Sequence, residues 1–100
     1  MILVYVTHPD EKTAKFISQA CIENHLAACT NILPITSCFW WKSTYTSQNE
    51  FVTILKTIPS KWKQLKEFIE KNHPYSVPCI MKISVEANDS FEKWVRESVT

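Results

Sequence analysis

Hydrophobic and polar positions repeat with two different periods along the chain, and their order predicts the fold. Residues 2–7 alternate loosely among β-branched and aromatic types, which is typical of a strand. Three further extended runs, 27–42, 50–57 and 77–87, are predicted to be strands as well. Pro34 interrupts the first of these runs and predicts a bulge or bend there.

Three other segments repeat their apolar residues every three or four positions, as amphipathic helices do. The first helix is predicted to begin near residues 7–10 and the second at Pro59, and the second ends at Pro74, since proline forces its predecessor into extended geometry. Asn88 or Asp89 caps a third, closing helix. The predicted inward-facing residues are Ala14, Ile17, Ala20 and Cys21 in the first helix, Trp62, Leu65, Phe68 and Ile69 in the second, and Phe91, Trp94 and Val95 in the third.

The order β-α-β-β-α-β followed by a helix is the split arrangement of a ferredoxin-like α+β sandwich. We expect residues 1–100 to form one domain with a small hydrophobic core. Phe39, Trp40 and Trp41 put large aromatic rings on both faces of one strand, whereas helices cover only one face of such a sheet. The sequence therefore predicts self-association through these aromatics, the alternative being that the closing helix shields them with Trp94.

Composition excludes several function classes. The chain has no glycine, so the usual phosphate-binding loops of P-loop and dinucleotide-binding proteins are excluded. A net charge of +1 and the absence of a basic-Gly-aromatic signature argue against nucleic-acid binding. An acylphosphatase-like enzyme needs an arginine in a phosphate loop, but the single arginine, Arg96, lies in the closing helix.

Cysteine spacing and the apolar start indicate the compartment that we expect. The four cysteines are widely spaced with no Cys-x-x-Cys pair, so we interpret them as thiols. The apolar start at residues 1–6 is too short for a signal peptide or a membrane helix. The sequence therefore predicts a cytoplasmic protein without a membrane partner.

Four stretches together resemble the signature of the CutA, or divalent-cation tolerance, family. They are Leu-Ala-Ala-Cys-Thr-Asn-Ile at 26–32, Ser-Cys-Phe-Trp-Trp at 37–41, Leu-Lys-Thr at 55–57 and His-Pro-Tyr-Ser-Val-Pro at 73–78, and residues 6–10 resemble the family's first strand-to-helix junction. The resemblance implies a ferredoxin-like protomer in a tight homotrimer, similar in architecture to the P-II signalling proteins. It also implies tolerance to divalent metals, copper above all, and no catalysis.

The chain departs from the family pattern at several positions. Cys79 stands where an acidic residue is usual, Ile35 follows the strand proline in place of a glycine, and residues 43–44 occupy the turn without one. A copper site in this family uses a thiol at the end of the first strand and paired histidines before Pro-Tyr. Here those positions hold Val6 and the pair at 72–73, so only the histidine of that pair carries over.

Two residues are candidate metal ligands. His73 and Cys79 flank a loop with two prolines, and an imidazole with a thiolate suits copper or zinc. Alternatively, His73 caps the second helix and Cys79 begins a buried strand. Cys21 and His25 are four residues apart on a predicted helix, but Cys21 falls on the apolar stripe, where packing is the favoured role.

Residues in and near the matched stretches suggest a second site. A cleft between subunits that binds an anion or small molecule is predicted to be lined by Cys29, Glu50, Lys56 and Tyr75. An interfacial ion pair and hydrogen bond is the equal alternative. The sequence also allows a purely structural role, in which the trimer is a platform for another protein.

Overall fold

The computed structural model of the chain describes all 100 residues as a four-stranded sheet with three helices. The strands are β1 (Ile2–His8), β2 (Cys29–Trp41), β3 (Thr44–Thr57) and β4 (Ile80–Ser84), and the helices are α1 (Glu11–Glu23), α2 (Trp62–Asn72) and α3 (Asp89–Val99), with a short 3-10 turn (Pro59–Lys61) leading into α2. The sheet order is β2-β3-β1-β4, and every neighbouring pair is antiparallel. The predicted ferredoxin-like α+β fold is confirmed.

The main core lies between one face of the sheet and the pair α1 and α2. Alternate residues of β1 point into it, so that Val4 and Val6 are fully buried. Ile17 of α1 and Leu65 and Ile69 of α2 meet them at helical spacing. Trp62 and Phe68 of α2, also predicted to face inward, are only partly buried at the edge of this core.

The ends of α1 follow from its capping residues. Asp10 is the N-cap, and its carboxylate accepts a hydrogen bond from the backbone N–H of Thr13 at 2.7 Å. At the other end Asn24 is the C-cap, and His25 takes a positive φ of 56°. A left-handed residue after a helix is usually glycine, and here histidine has that role.

The long hairpin β2–β3 differs from its prediction. Its register is one-to-one through the proline, with Pro34 opposite Phe51, so the predicted bulge is wrong. Because β2 is an edge strand, a residue without an N–H is tolerated on its outer side. β3 begins earlier than predicted, at Thr44 opposite Trp41 across a two-residue turn, whereas β2 ends at Trp41, close to its predicted end at residue 42.

The last strand is shorter than predicted. β4 pairs only with β1, and this pairing ends at Ser84 opposite Ile2, because β1 begins there. Met81 and Ile83 lie opposite Tyr5 and Leu3, on the sheet face away from α1 and α2, and each is 48% exposed. These two apolar residues of β4 therefore remain partly exposed.

The closing helix packs at one end of the sheet. Val95 and Val99 are buried against Ala28, with Met1 and Ile58 beside them. Trp94, predicted to face inward, is instead 46% exposed. The open sheet face keeps exposed apolar side chains, so α3 does not shield it as the alternative prediction required.

All four cysteines are free thiols, as predicted. None of the three helices combines the length and the apolarity that crossing a membrane requires.

Candidate ligand cleft

A cleft of about 480 Å³ lies on the open sheet face, between the hairpin and the loop that joins α2 to β4. Thr46, Gln48 and Glu50 of β3 follow one another at every second position, so their side chains share this face. Thr7 of β1 lies beside them. The walls are completed by Phe39 and Trp41 of β2 and by the loop residues Pro74, Tyr75, Ser76, Val77 and Cys79.

Glu50 and Tyr75 form the polar centre of the cleft. Glu50 is only 5% exposed, and one of its carboxylate oxygens accepts a hydrogen bond from the Tyr75 hydroxyl at 2.5 Å. Gln48 donates to the same hydroxyl oxygen at 3.4 Å. Burial and the neighbouring Glu50 carboxylate raise the pKa of Tyr75 well above its usual value, so this hydroxyl stays a donor.

Two histidines hold the loop against the sheet behind the cleft. The Nδ1 of His73 accepts a hydrogen bond from the backbone N–H of Tyr75 at 3.1 Å, and its Nε2 donates to the Thr7 carbonyl at 2.7 Å. Its ring stacks on that of His8, with centroids 5.3 Å apart. Both ring nitrogens of His73 are therefore engaged with backbone groups.

His8 is fully buried beneath this stack. Its Nε2 lies 2.9 Å from the Thr53 hydroxyl, and its Nδ1 has no hydrogen-bond partner. Burial, helped by the nearby His73, lowers the pKa of His8 to about 4. The imidazole is thus neutral at neutral pH.

Comparison with known proteins identifies the relatives of this architecture. The model of the family described as CutA1 divalent ion tolerance protein matches residues 2–98. The chain belongs to this CutA1 family. The Divalent-cation tolerance protein CutA of Thermotoga maritima is 41% identical over 100 residues, which cover 99% of each chain. Human Protein CutA is 39% identical over 95 residues, 93% of this chain and 53% of the human one.

Solved CutA structures superpose closely on the chain. The crystal structure of CutA1 from Pyrococcus horikoshii has a TM-score of 0.97 at 35% identity, covering 100% of this chain and 99% of that one. The protein named periplasmic divalent cation tolerance protein CutA from Archaeoglobus fulgidus has a TM-score of 0.96 at 35% identity and covers 100% of both chains. These matches fix the fold and the family-level link to divalent-cation tolerance.

Within the CutA1 fold, only one of the two predicted metal ligands, His73 and Cys79, faces the cleft. Cys79 lines the cleft, and burial together with the Glu50 charge raises the pKa of its thiol. His73 lies behind the wall with both ring nitrogens hydrogen-bonded. No group of three or more His, Cys, Asp or Glu side chains in the chain is placed to hold a metal ion.

The four residues predicted for one cleft separate into two pairs. Glu50 and Tyr75 come together, as described above. Cys29 and Lys56 instead face each other across β2 and β3, where Lys56 donates to the side chain of Asn31. Lys56 lies six positions after Glu50 along β3, about 20 Å at 3.3 Å per residue, so a single chain does not bring both pairs into one cleft.

The aromatics predicted for an interface also divide between the two sheet faces. Phe39 and Trp41 line the cleft, whereas Trp40 points to the opposite face and is 71% exposed. Gln48 and Thr7 were not predicted as cleft residues. The two-residue period counted back from Glu50 is the signal for Gln48, but nothing in the sequence places Thr7 of β1 beside it.

Proposed function

We propose that the chain acts in divalent-cation tolerance as a non-enzymatic, cytoplasmic homotrimer that binds a ligand in the cleft between the hairpin and the 74–79 loop. The observation that carries this proposal is the cleft itself, with a nearly buried carboxylate at its centre and aromatic walls. Family membership supplies the link to divalent cations.

The absence of catalysis is supported by the state of the reactive groups. The Cys79 thiol has a raised pKa, so little of it is the nucleophilic thiolate at neutral pH. His73, at the start of the same loop, uses both ring nitrogens in hydrogen bonds to the backbone and has none free to act as a base. A cleft with these groups is suited to binding.

Exposed aromatics support assembly as a trimer. Trp40 and Tyr45 lie opposite each other on the outer part of the hairpin and are 71% and 66% exposed. Large contiguous apolar surface is the usual mark of an interface. The family resemblance favours closed threefold symmetry over a dimer.

Cytoplasmic placement is supported by the cysteines. Four free thiols, one of them the exposed Cys38, fit a reducing compartment.

Copper, or another divalent cation, is proposed to contact the protein at Cys79 and, through a rearrangement, His73. The rearrangement requires His73 to give up its bond to the Thr7 carbonyl or to the Tyr75 amide. Two donors leave the coordination shell of the metal incomplete, so further ligands come from a second subunit.

Light scattering on a sizing column, with and without CuSO₄ or ZnCl₂, tests the assembly. We expect a particle of about three times the 11.7 kDa subunit mass in either condition. A stable monomer without metal would overturn the proposed trimer.

Copper titration by calorimetry tests the metal contact. We expect Cys79→Ser to weaken binding at least tenfold, while Cys38→Ser, which removes an exposed thiol outside the cleft, leaves it unchanged. Equal copper binding by the wild type and Cys79→Ser would remove Cys79 from the metal site.

A further inference from the structure

Within one protomer, the cleft holds a carboxylate that no basic side chain neutralises. Glu50 is 5% exposed and receives one hydrogen bond, from Tyr75. The three ion pairs of the chain lie elsewhere, and no lysine or arginine lines the cleft. A buried carboxylate without a counter-charge is costly, so the site favours a ligand that brings positive charge.

The walls of the cleft are aromatic on the side of β2. Phe39 and Trp41 both face it, and the faces of aromatic rings attract cations, those of indole most strongly. The Nζ of Lys42 already lies 6.0 Å from the Trp41 ring centroid, which shows that an ammonium group has access to this ring. The walls therefore suit a molecule with an apolar body and a cationic head.

The polar groups that one protomer places in the cleft suit an organic cation better than an anion or a hard divalent ion. Glu50 is the single carboxylate in the lining, while burial and Glu50 raise the pKa of Tyr75 and Cys79, which keeps both neutral. A hard divalent ion prefers several oxygen ligands, so Glu50 alone is a poor site for one. The same carboxylate disfavours an anion beside it.

We propose that the cleft binds a small organic ammonium ion, with its charged nitrogen at Glu50 and its hydrocarbon part against Phe39 and Trp41. The volume of about 480 Å³ is within the range of small-molecule sites. This inference rests on the proposed function, because it names the class of ligand for the same cleft.

Calorimetric titration of the purified wild-type protein with three matched probes tests this inference. The probes are 2-phenylethylammonium, the neutral 2-phenylethanol and the anionic 3-phenylpropionate, which share one hydrocarbon body. We expect the ammonium probe to bind at least tenfold more tightly than the alcohol, and the carboxylate to show no binding. Equal binding of the ammonium and the alcohol, or no binding of the ammonium, would overturn the inference.

Two variants locate the charge that the ammonium recognises. Glu50→Gln keeps the shape of the side chain and should weaken ammonium binding at least tenfold without changing alcohol binding. Glu67→Gln, which removes an exposed carboxylate on α2 outside the cleft, should leave both unchanged. If Glu50→Gln does not fold, the three-probe comparison on the wild type still decides the inference.

The two proposals fail separately. A trimer that binds copper but no ammonium probe would retain the proposed function and reject this inference. A monomer that binds the ammonium probe through Glu50 would reject the proposed trimer and retain this inference.

Discussion

At the scale of single residues, the hairpin reverses without glycine. Lys42 and Ser43 form its two-residue turn with positive φ values of 48° and 62°. Two successive positive values are the requirement of a type I′ turn, which glycine and asparagine satisfy most easily. Lysine and serine therefore hold a backbone conformation that costs about 1 kcal/mol or more for each residue with a β-carbon.

Replacing this turn with the preferred pair should stabilise the protein. We expect Lys42→Asn combined with Ser43→Gly to raise the free energy of unfolding by about 1 kcal/mol, since it relieves left-handed strain at both positions. Thermal and denaturant unfolding measure the change. Ser47→Gly, the same replacement within β3, should lower stability instead; a loss of stability in the turn variant would contradict the I′ assignment.

Acid should destabilise the fold through His8. Its folded pKa of about 4 lies below the unfolded value of 6.5, so between these pH values the unfolded chain binds more protons. The contribution of neutral His8 is complete above pH 6.5 and falls as pH drops toward 4, by about 3 kcal/mol in total.

Comparing urea unfolding at pH 7 and pH 4.5 measures this loss. His8→Gln should flatten the pH dependence, although it lowers stability at pH 7 by disturbing the bond to Thr53. An unchanged slope in His8→Gln would mean that other groups cause the acid sensitivity.

At the scale of elements, local pattern predicted the order of strands and helices, but partners set their lengths. The prediction for β4 ran over residues 77–87, whereas β4 pairs only as far as β1 extends, from Ile80 to Ser84. Conversely, β3 was expected from Glu50 and begins at Thr44, because β2 offers it a partner throughout. The ends of both strands therefore depend on how far the neighbouring strand extends, which local periodicity does not show.

The buried face of helix α3 also differs from its prediction. Phe91, Trp94 and Val95 were predicted to face inward, whereas the buried residues are Val95 and Val99. Trp94 shares the helical spacing of Phe91 and Val95, but α3 packs at one end of the sheet around Ala28 through Val95 and Val99. Helical spacing alone therefore did not show which apolar residues the rest of the fold covers.

Two neighbouring substitutions in α3 test this packing. Val95→Ala should lower the free energy of unfolding by about 2 kcal/mol, because it removes two buried methyl groups and leaves a cavity. Trp94→Ala, at a residue that is 46% exposed, should cost less than half as much. Denaturant unfolding of both variants measures the two losses of stability. A larger loss for Trp94→Ala than for Val95→Ala would mean that Trp94 is buried in the protein in solution.

The sequence predicted only part of the cleft lining correctly. Glu50 and Tyr75 were both named, and they meet at 2.5 Å. Cys29 and Lys56 were assigned to the same site because each lies in a matched stretch. They pair with each other across β2 and β3, at a point of the sheet about 20 Å from Glu50. Membership of a signature stretch identified residues of interest, and only the sheet register showed which of them share a site.

At the scale of the whole molecule, the hairpin gives the protein an elongated shape. Its extents are 45 × 24 × 21 Å, and the outer part of β2 and β3 carries exposed aromatic residues. Trp40 and Tyr45 are opposite each other there, on the face that the cleft does not use. A surface of this kind is available for contact with another copy while the cleft remains open to a ligand.

Removing one of these aromatics should weaken the proposed trimer. We expect Trp40→Ser to raise the dissociation constant of the assembly by about 30-fold, equivalent to about 2 kcal/mol for a large aromatic anchor. Light scattering over a dilution series measures it. Phe16→Ser is the matched control, because Phe16 is 63% exposed on α1, and it should not change the mass. If Trp40→Ser dissociates no more readily than Phe16→Ser, the contact between subunits lies elsewhere, and the exposed sheet residues Met81 and Ile83 become the next surface to substitute.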